Sequence, residues 1–161
     1  MLLYFLRHGD AIESPYYHDS ERPLSDLGKR QIQTVAQFFK LTRKQVELVL
    51  SSPLGRARET ADILQQTLKA HPTMTTEALL SGSEVRNLLN EMNLHKSESM
   101  LLVGHEPQLS SAISVLTGGD EHFRVEMRKA SLACVESPFP VKKGGAVLSW
   151  LITVAQMELM R

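Results

Sequence analysis

Leu2-Leu3-Tyr4-Phe5-Leu6 runs directly into Arg7-His8-Gly9-Asp10. An unbroken apolar run with a glycine soon after it reads as a short strand buried on both faces. Periodicity alone is compatible with a piece of buried helix as well; the abrupt stop decides for strand. An arginine, a histidine and an aspartate then stand at the strand's carboxyl end, where open α/β sheets bind their ligands. For an isolated Arg-His pair the simpler reading is the start of a solvated loop. Two further stretches change that balance.

Val46 to Leu50 is a second mainly apolar run, broken by Glu47 and ending in Ser51-Ser52-Pro53. Met100-Leu101-Leu102-Val103 is a third, ending in Gly104-His105-Glu106-Pro107. Helical spacing separates these runs. Ser25 caps a predicted helix that carries Ile32, Val35, Ala36 and Phe39 on one face through to Lys40. Gly28 in its first turn costs helix propensity and points to close packing or a tight entry. A second helix is predicted over 54–69, with Ala57, Ala61, Leu64 and Leu68 inward, and a third over 83–93. Pro107 suits the first turn of a fourth, which continues through Leu109, Ala112, Ile113 and Leu116 to Gly118-Gly119.

Met74 to Leu79 is expected to form at best a weak strand. Ala130 to Glu136 and Ala146 to Val154 are expected to pair antiparallel, because Pro138, Pro140, Gly144 and Gly145 make their connection turn-rich. Strand-helix alternation followed by a hairpin predicts an α/β fold: a three-layer αβα sandwich with a mainly parallel sheet and an antiparallel C-terminal hairpin. Ala11 to Pro23 lacks periodicity and exceeds a usual βα connection, so it is read as a functional loop.

The totals set the outer limits. At 161 residues and 18.0 kDa, one domain spanning 1–161 is expected, with no repeat or linker to divide it. Eighteen basic and eighteen acidic side chains cancel, which removes any bulk electrostatic case for nucleic acid or membrane as a partner. The lone cysteine, Cys134, excludes an internal disulfide and reads as a buried small hydrophobe. The apolar runs are too short for a signal peptide or a membrane span, so the cytoplasm is the expected compartment. The expected assembly is a monomer or a weak dimer.

Three strand ends therefore carry reactive groups: Arg7 and His8, then Arg56, then His105. On parallel neighbouring strands they share one edge of the sheet and converge. Two guanidiniums and two imidazoles without a carboxylate cluster describe a site for a dianionic phosphoryl group. Arginine donates two hydrogen bonds from a planar fork and stays charged at any working pH. Neutral imidazole is a competent nucleophile toward phosphorus. Arg56 and Arg58 in the first turn of a helix oppose its dipole, a placement that a bound anion would explain.

Arg7-His8-Gly9, Ser51-Ser52-Pro53-Leu54-Gly55-Arg56-Ala57 with Thr60-Ala61, and Val103-Gly104-His105-Glu106-Pro107 together resemble the signatures of the histidine phosphatase superfamily, whose fold is phosphoglycerate mutase-like. Arg22-Pro23-Leu24-Ser25 before Gly28, in so short a chain, resembles its small SixA-type protein-phosphohistidine phosphatases. The resemblance implies that His8 is the nucleophile and is transiently phosphorylated. It implies phosphate binding by Arg7, Arg56 and His105, no metal and no cofactor. The implied partner is a phosphohistidine-bearing protein.

The general acid of phosphomutase-like relatives has no clear counterpart. Glu77, Glu84 and Asp19 are candidates, each also readable as an ordinary surface carboxylate, and Arg22 either braces Asp10 or Asp19 or anchors its loop. The missing acid has a chemical reading. An alkoxide leaves only with a proton, whereas an imidazole titrates near pH 6.5 and leaves with little help. Protein phosphohistidine is thus the favoured substrate. The alternatives are a small-molecule phosphomonoesterase of the same superfamily and a non-catalytic phosphate-binding module. Arg58 is expected to face solvent and Trp150 to be core.

Overall fold

The computed structural model describes residues 1–42, 45–68 and 73–160. Each apolar run becomes a strand. In chain order the elements are β1 (Leu2–Arg7), α1 (Asp26–Thr42), β2 (Leu48–Ser51), α2 (Gly55–Leu68), β3 (Met74–Thr75), α3 (Val85–Leu94), β4 (Ser99–Gly104), α4 (Gln108–Gly118), β5 (Leu132–Glu136), β6 (Val147–Ile152) and α5 (Val154–Glu158). The sheet order is β3-β2-β4-β1-β5-β6. β3, β2, β4 and β1 run parallel, β5 is antiparallel to β1, and β6 is antiparallel to β5. This is the mixed sheet with a C-terminal hairpin that the sequence predicts.

The three layers follow from which residues alternate to which face. Tyr4 and Leu6 of β1, with Leu101 and Val103 of β4, pack on Ile32, Val35 and Phe39 of α1 and Ala57, Ala61 and Leu64 of α2. Leu3 and Phe5, with Met100 and Leu102, face the other way onto Leu88 and Met92 of α3 and Leu109, Ala112 and Ile113 of α4. β1 and β4 are buried on both faces, which is why they read as continuous apolar runs rather than alternating ones. Cys134 is buried among the first set, as expected.

Gly28 is a packing requirement. A Cβ there would lie 2.0 Å from the Asp10 carbonyl oxygen, so α1 enters against the turn that follows β1. Ser25 caps the helix, its hydroxyl accepting from Gly28 N–H at 3.1 Å.

Several expected boundaries shift. The Met74–Leu79 segment is a strand only at Met74–Thr75; Thr76 then accepts from Ala78 N–H and starts a 3-10 turn over Glu77–Leu79. The last strand stops at Ile152. Thr153 caps α5 with a reciprocal pair to Gln156, so Val154 is helical rather than extended. β5 begins at Leu132, since Ala130 takes a left-handed φ of 56°. Trp150 is half-buried, with its edge against Phe38 at 5.8 Å between centroids. Lys69, the predicted end of α2, lies outside the described residues. Among the described residues, no helix is long and apolar enough to cross a membrane.

Candidate active site

Sheet register delivers the site. Arg7 pairs with Gly104 between β1 and β4, and Ser51 pairs with Val103 between β2 and β4. One residue past those pairs stand His8, His105 and Ser52. They are stitched together by backbone bonds from His8 N–H to Gly104 O at 3.2 Å and from Ser52 N–H to Val103 O at 2.9 Å. The His8 and His105 rings consequently meet at 4.9 Å between centroids, tilted by 56°. Arg56 enters from the first turn of α2, whose amino end follows β2 directly. Thr60, one turn further on, ties the two walls: its hydroxyl donates to Arg56 O at 2.8 Å and accepts from Gly9 N–H at 3.3 Å. The four side chains expected to form the site are brought together.

His8 is 7% exposed, and its protonation pattern can be derived. Nδ1 lies 2.7 Å from the Gly9 carbonyl oxygen, which can only accept. Nδ1 therefore carries the proton, and Nε2 keeps a lone pair. Burial pushes the His8 pKa down to about 4, helped by the charges of Arg56, Arg7 and Lys129 and opposed by the Gly9 bond. At neutral pH the ring is uncharged. It takes up a second proton only as the pH falls toward about 4, so Nε2 is an available nucleophile across the physiological range.

His105 is held by Ser52, with Nε2 2.7 Å from the Ser52 hydroxyl. That oxygen also accepts from Leu54 N–H at 3.3 Å; in the tautomer where Ser52 gives its hydrogen to His105 Nε2, the ring proton sits on Nδ1. Burial, with the neighbouring His8 and Arg56, pushes the His105 pKa down to about 3; Asp19 opposes this and Arg7 adds to it. His105 is thus uncharged at neutral pH, and with its proton on Nδ1 it is an N–H donor.

The arginines are incompletely used. Arg7 donates from Nη1 to Met127 O at 3.0 Å, while its buried Nε has no partner among the described residues. His105 Nδ1 is likewise buried and unpartnered. Leaving such a group unsatisfied costs about 1–3 kcal/mol, and more when it is charged. An orphaned guanidinium N–H and an orphaned imidazole nitrogen at one sheet edge, beside the Arg56 cation, describe a seat for an anion. Arg56 donates from Nη1 to Asp19 O at 2.8 Å and from Nη2 to Asp19 Oδ2 at 3.3 Å. Of the five N–H donors a guanidinium carries, the remainder stay available for phosphoryl oxygens.

The other expected residues separate. Asp19 belongs to the site: it starts a 3-10 turn over Asp19–Glu21 and bridges Arg56 to Arg22, whose Nη1 reaches Asp19 Oδ1 at 3.1 Å. Of the alternatives open for Arg22, two are observed together: it braces Asp19, and its Nε anchors the loop through Ile12 O at 2.8 Å. Glu77 is exposed on the 3-10 turn after β3 and makes no described contact with the four central side chains. Glu84 pairs with Arg86 at 2.9 Å on the surface. Arg58 faces solvent. Tyr16, in the loop between β1 and α1, is 93% exposed.

Two participants escaped the sequence reading. Ser52, with no role assigned from the sequence, bonds His105 at 2.7 Å and orients it. Lys129 sits just before β5 and pairs with Asp10 Oδ1 at 2.6 Å, adding positive charge beside His8. Its signal was readable. An antiparallel β5 starts at the edge where β1 ends, so a cation preceding it arrives at the site.

The profile of the histidine phosphatase superfamily (branch 1) matches residues 3–81, the span that holds Arg7, His8 and Arg56. An uncharacterised protein of Picosynechococcus sp. is 33% identical over 141 residues, covering 85% of this chain and 86% of that one. Among solved structures, the protein histidine phosphatase SixA complexed with tungstate matches with a TM-score of 0.86 at 22% identity, over 96% of this chain and 98% of that one. Phosphoserine phosphatase of Entamoeba histolytica, in complex with 3-phosphoglyceric acid, matches with a TM-score of 0.68 at 17% identity, over 97% of this chain and 98% of that one. At these identities the structural likeness speaks to the fold, the phosphoglycerate mutase-like fold of SixA.

Proposed function

The chain belongs to the histidine phosphatase superfamily, and we propose that it hydrolyses phosphohistidine carried by another protein, through a phosphorylated His8. The observation that carries the reading is the 2.7 Å bond from His8 Nδ1–H to Gly9 O, which leaves Nε2 unprotonated in a ring already neutral at pH 7. Arg7, Arg56 and the His105 Nδ1–H supply preorganised donors for the phosphoryl oxygens as charge gathers on them. In the first step Nε2 attacks phosphorus, and the bond from phosphorus to the substrate nitrogen breaks. The substrate ring carries a proton on its other nitrogen, so the electron pair of that bond leaves with it as neutral imidazole. In the second step water takes the phosphoryl group from His8. Phospho-His8 keeps its Nδ1–H on the Gly9 carbonyl throughout, so the enzyme imidazole is itself a ready leaving group.

The substrate class follows from what protonates the leaving group. Glu84 is engaged with Arg86, Glu77 lies apart from the four central side chains, and Asp19 is paired with two arginines. None of the three candidate acids offers a proton to an alkoxide, and an imidazole needs none. The neighbouring loop exposes Tyr16 and Tyr17, a surface suited to a protein rather than to a small enclosed substrate. The reaction is proposed to need no metal, since Arg7 and Arg56 carry the positive charge and His8 needs no further activation. The cytoplasm is the proposed site of action.

A rate comparison tests this. Purified protein in the presence of a chelator is expected to release phosphate from a chemically phosphorylated, histidine-containing carrier domain with kcat/KM at least tenfold above any of a panel of sugar, nucleotide and serine monoesters. Faster release from the monoesters would move the protein to the small-molecule class. Release from neither would make the site a binding pocket.

A further inference from the structure

We infer that the Asp19 carboxylate holds the distal ring N–H of the phosphoimidazole leaving group, and so selects a cationic leaving group over an alcohol. The inference rests on the phosphohistidine reading above and deepens it. Asp19 is tied to the phosphate-binding arginine and to the loop: its backbone oxygen and Oδ2 take both terminal nitrogens of Arg56, at 2.8 and 3.3 Å, Oδ1 takes Arg22 at 3.1 Å, and its charge reaches His105. Each carboxylate oxygen thus retains acceptor capacity. The side chain is 66% exposed, so that capacity is open to an incoming group rather than buried in the core.

Its charge state excludes the role of acid. Partial burial would raise the Asp19 pKa, but the bond from Arg22 and the charge and bond of Arg56 outweigh it and hold the carboxyl below its usual range. An ionised carboxylate on a phosphate-binding arginine is a disadvantage for most substrates. A phosphoryl dianion arriving at Arg56 meets a like charge across the width of one guanidinium. The repulsion is relieved if the substrate brings positive charge between the two anions. A protonated phosphoimidazole does so, because its free nitrogen bears an N–H on the side away from phosphorus. A sugar or serine phosphate has only a neutral carbon framework there. One residue therefore attracts the right leaving group and repels the wrong one.

The step balances. The substrate ring enters as a cation with phosphorus on one nitrogen and a proton on the other, the latter donated to Asp19. His8 Nε2 forms its bond to phosphorus as the substrate P–N bond breaks. The electron pair returns to the substrate nitrogen, and the proton stays where it was. The leaving group departs as neutral imidazole, and the positive charge passes to the His8 ring, whose Nδ1–H remains on Gly9 O. No proton needs to be supplied.

The test is the ratio of kcat/KM for a phosphohistidine carrier domain to kcat/KM for para-nitrophenyl phosphate, in the native protein, Asp19→Asn and Asp19→Glu. A charge-assisted hydrogen bond lost from the transition state predicts a fall in that ratio of about 10- to 100-fold in Asp19→Asn, with partial recovery in Asp19→Glu. A carboxylate that merely steadies Arg56 would lower both rates equally. An unchanged or increased ratio therefore overturns the inference while leaving phosphohistidine as substrate. A native protein inactive on the carrier domain but active on para-nitrophenyl phosphate overturns the substrate reading itself, and the inference with it.

Discussion

Replacement of His8 by alanine is expected to reduce phosphatase turnover by about 10⁴-fold or more, the scale on which enzymes lose rate when the nucleophile is removed. The protein should remain folded. His8 sits just past the end of β1, outside both hydrophobic clusters, and its ring is bonded to the backbone oxygen of the next residue. The remaining machinery would still bind phosphate, because Arg7, Arg56 and His105 are positioned by other bonds: to Met127 O, to Asp19 and to Ser52. Rates on the carrier domain, with circular dichroism as the control for folding, check this. A folded His8→Ala protein at native rate would remove the covalent mechanism.

Arg56→Ala is expected to lower kcat/KM by about 10²- to 10³-fold, roughly 3–4 kcal/mol of transition-state stabilisation, the usual cost of one preorganised donor. The loss has two parts. The guanidinium no longer meets the phosphoryl oxygens, and Asp19 loses the cation that orients it. Arg56→Lys should recover only part of the rate, because an ammonium cannot bond Asp19 and a phosphoryl group through a planar fork. Steady-state kinetics on both variants decide the matter. An unaltered rate in folded Arg56→Ala would take the residue out of the reaction.

The main lines of the fold were readable because β1 and β4 are buried on both faces and so leave continuous apolar runs, while α1 and α4 leave clear stripes. The site was readable for a related reason. Its two histidines immediately follow strands in the chain, so register alone carries His8 and His105 to the same level. Where residues meet through loops, the sequence is nearly silent. Asp19 looks like any surface carboxylate until the fold brings Arg56 to it across 37 positions. Lys129 and Asp10 meet across 119. The short strand β3 was overestimated because Thr76 turns the chain with its own side chain, a local bond that competes with sheet pairing. The Thr153 and Gln156 capping box that begins α5 lay in plain sight, hidden by the apolar run before it.

The covalent phosphoenzyme is the most direct test. Native protein mixed with excess phosphorylated carrier domain and quenched in alkali within milliseconds, where phosphohistidine survives, would be digested and read by mass spectrometry. The account predicts phosphate on the peptide that contains His8, formed and lost at rates no slower than turnover, and absent from His8→Ala. Full turnover with no phosphate on His8 at any time point, or with phosphate on His105 instead, would contradict it.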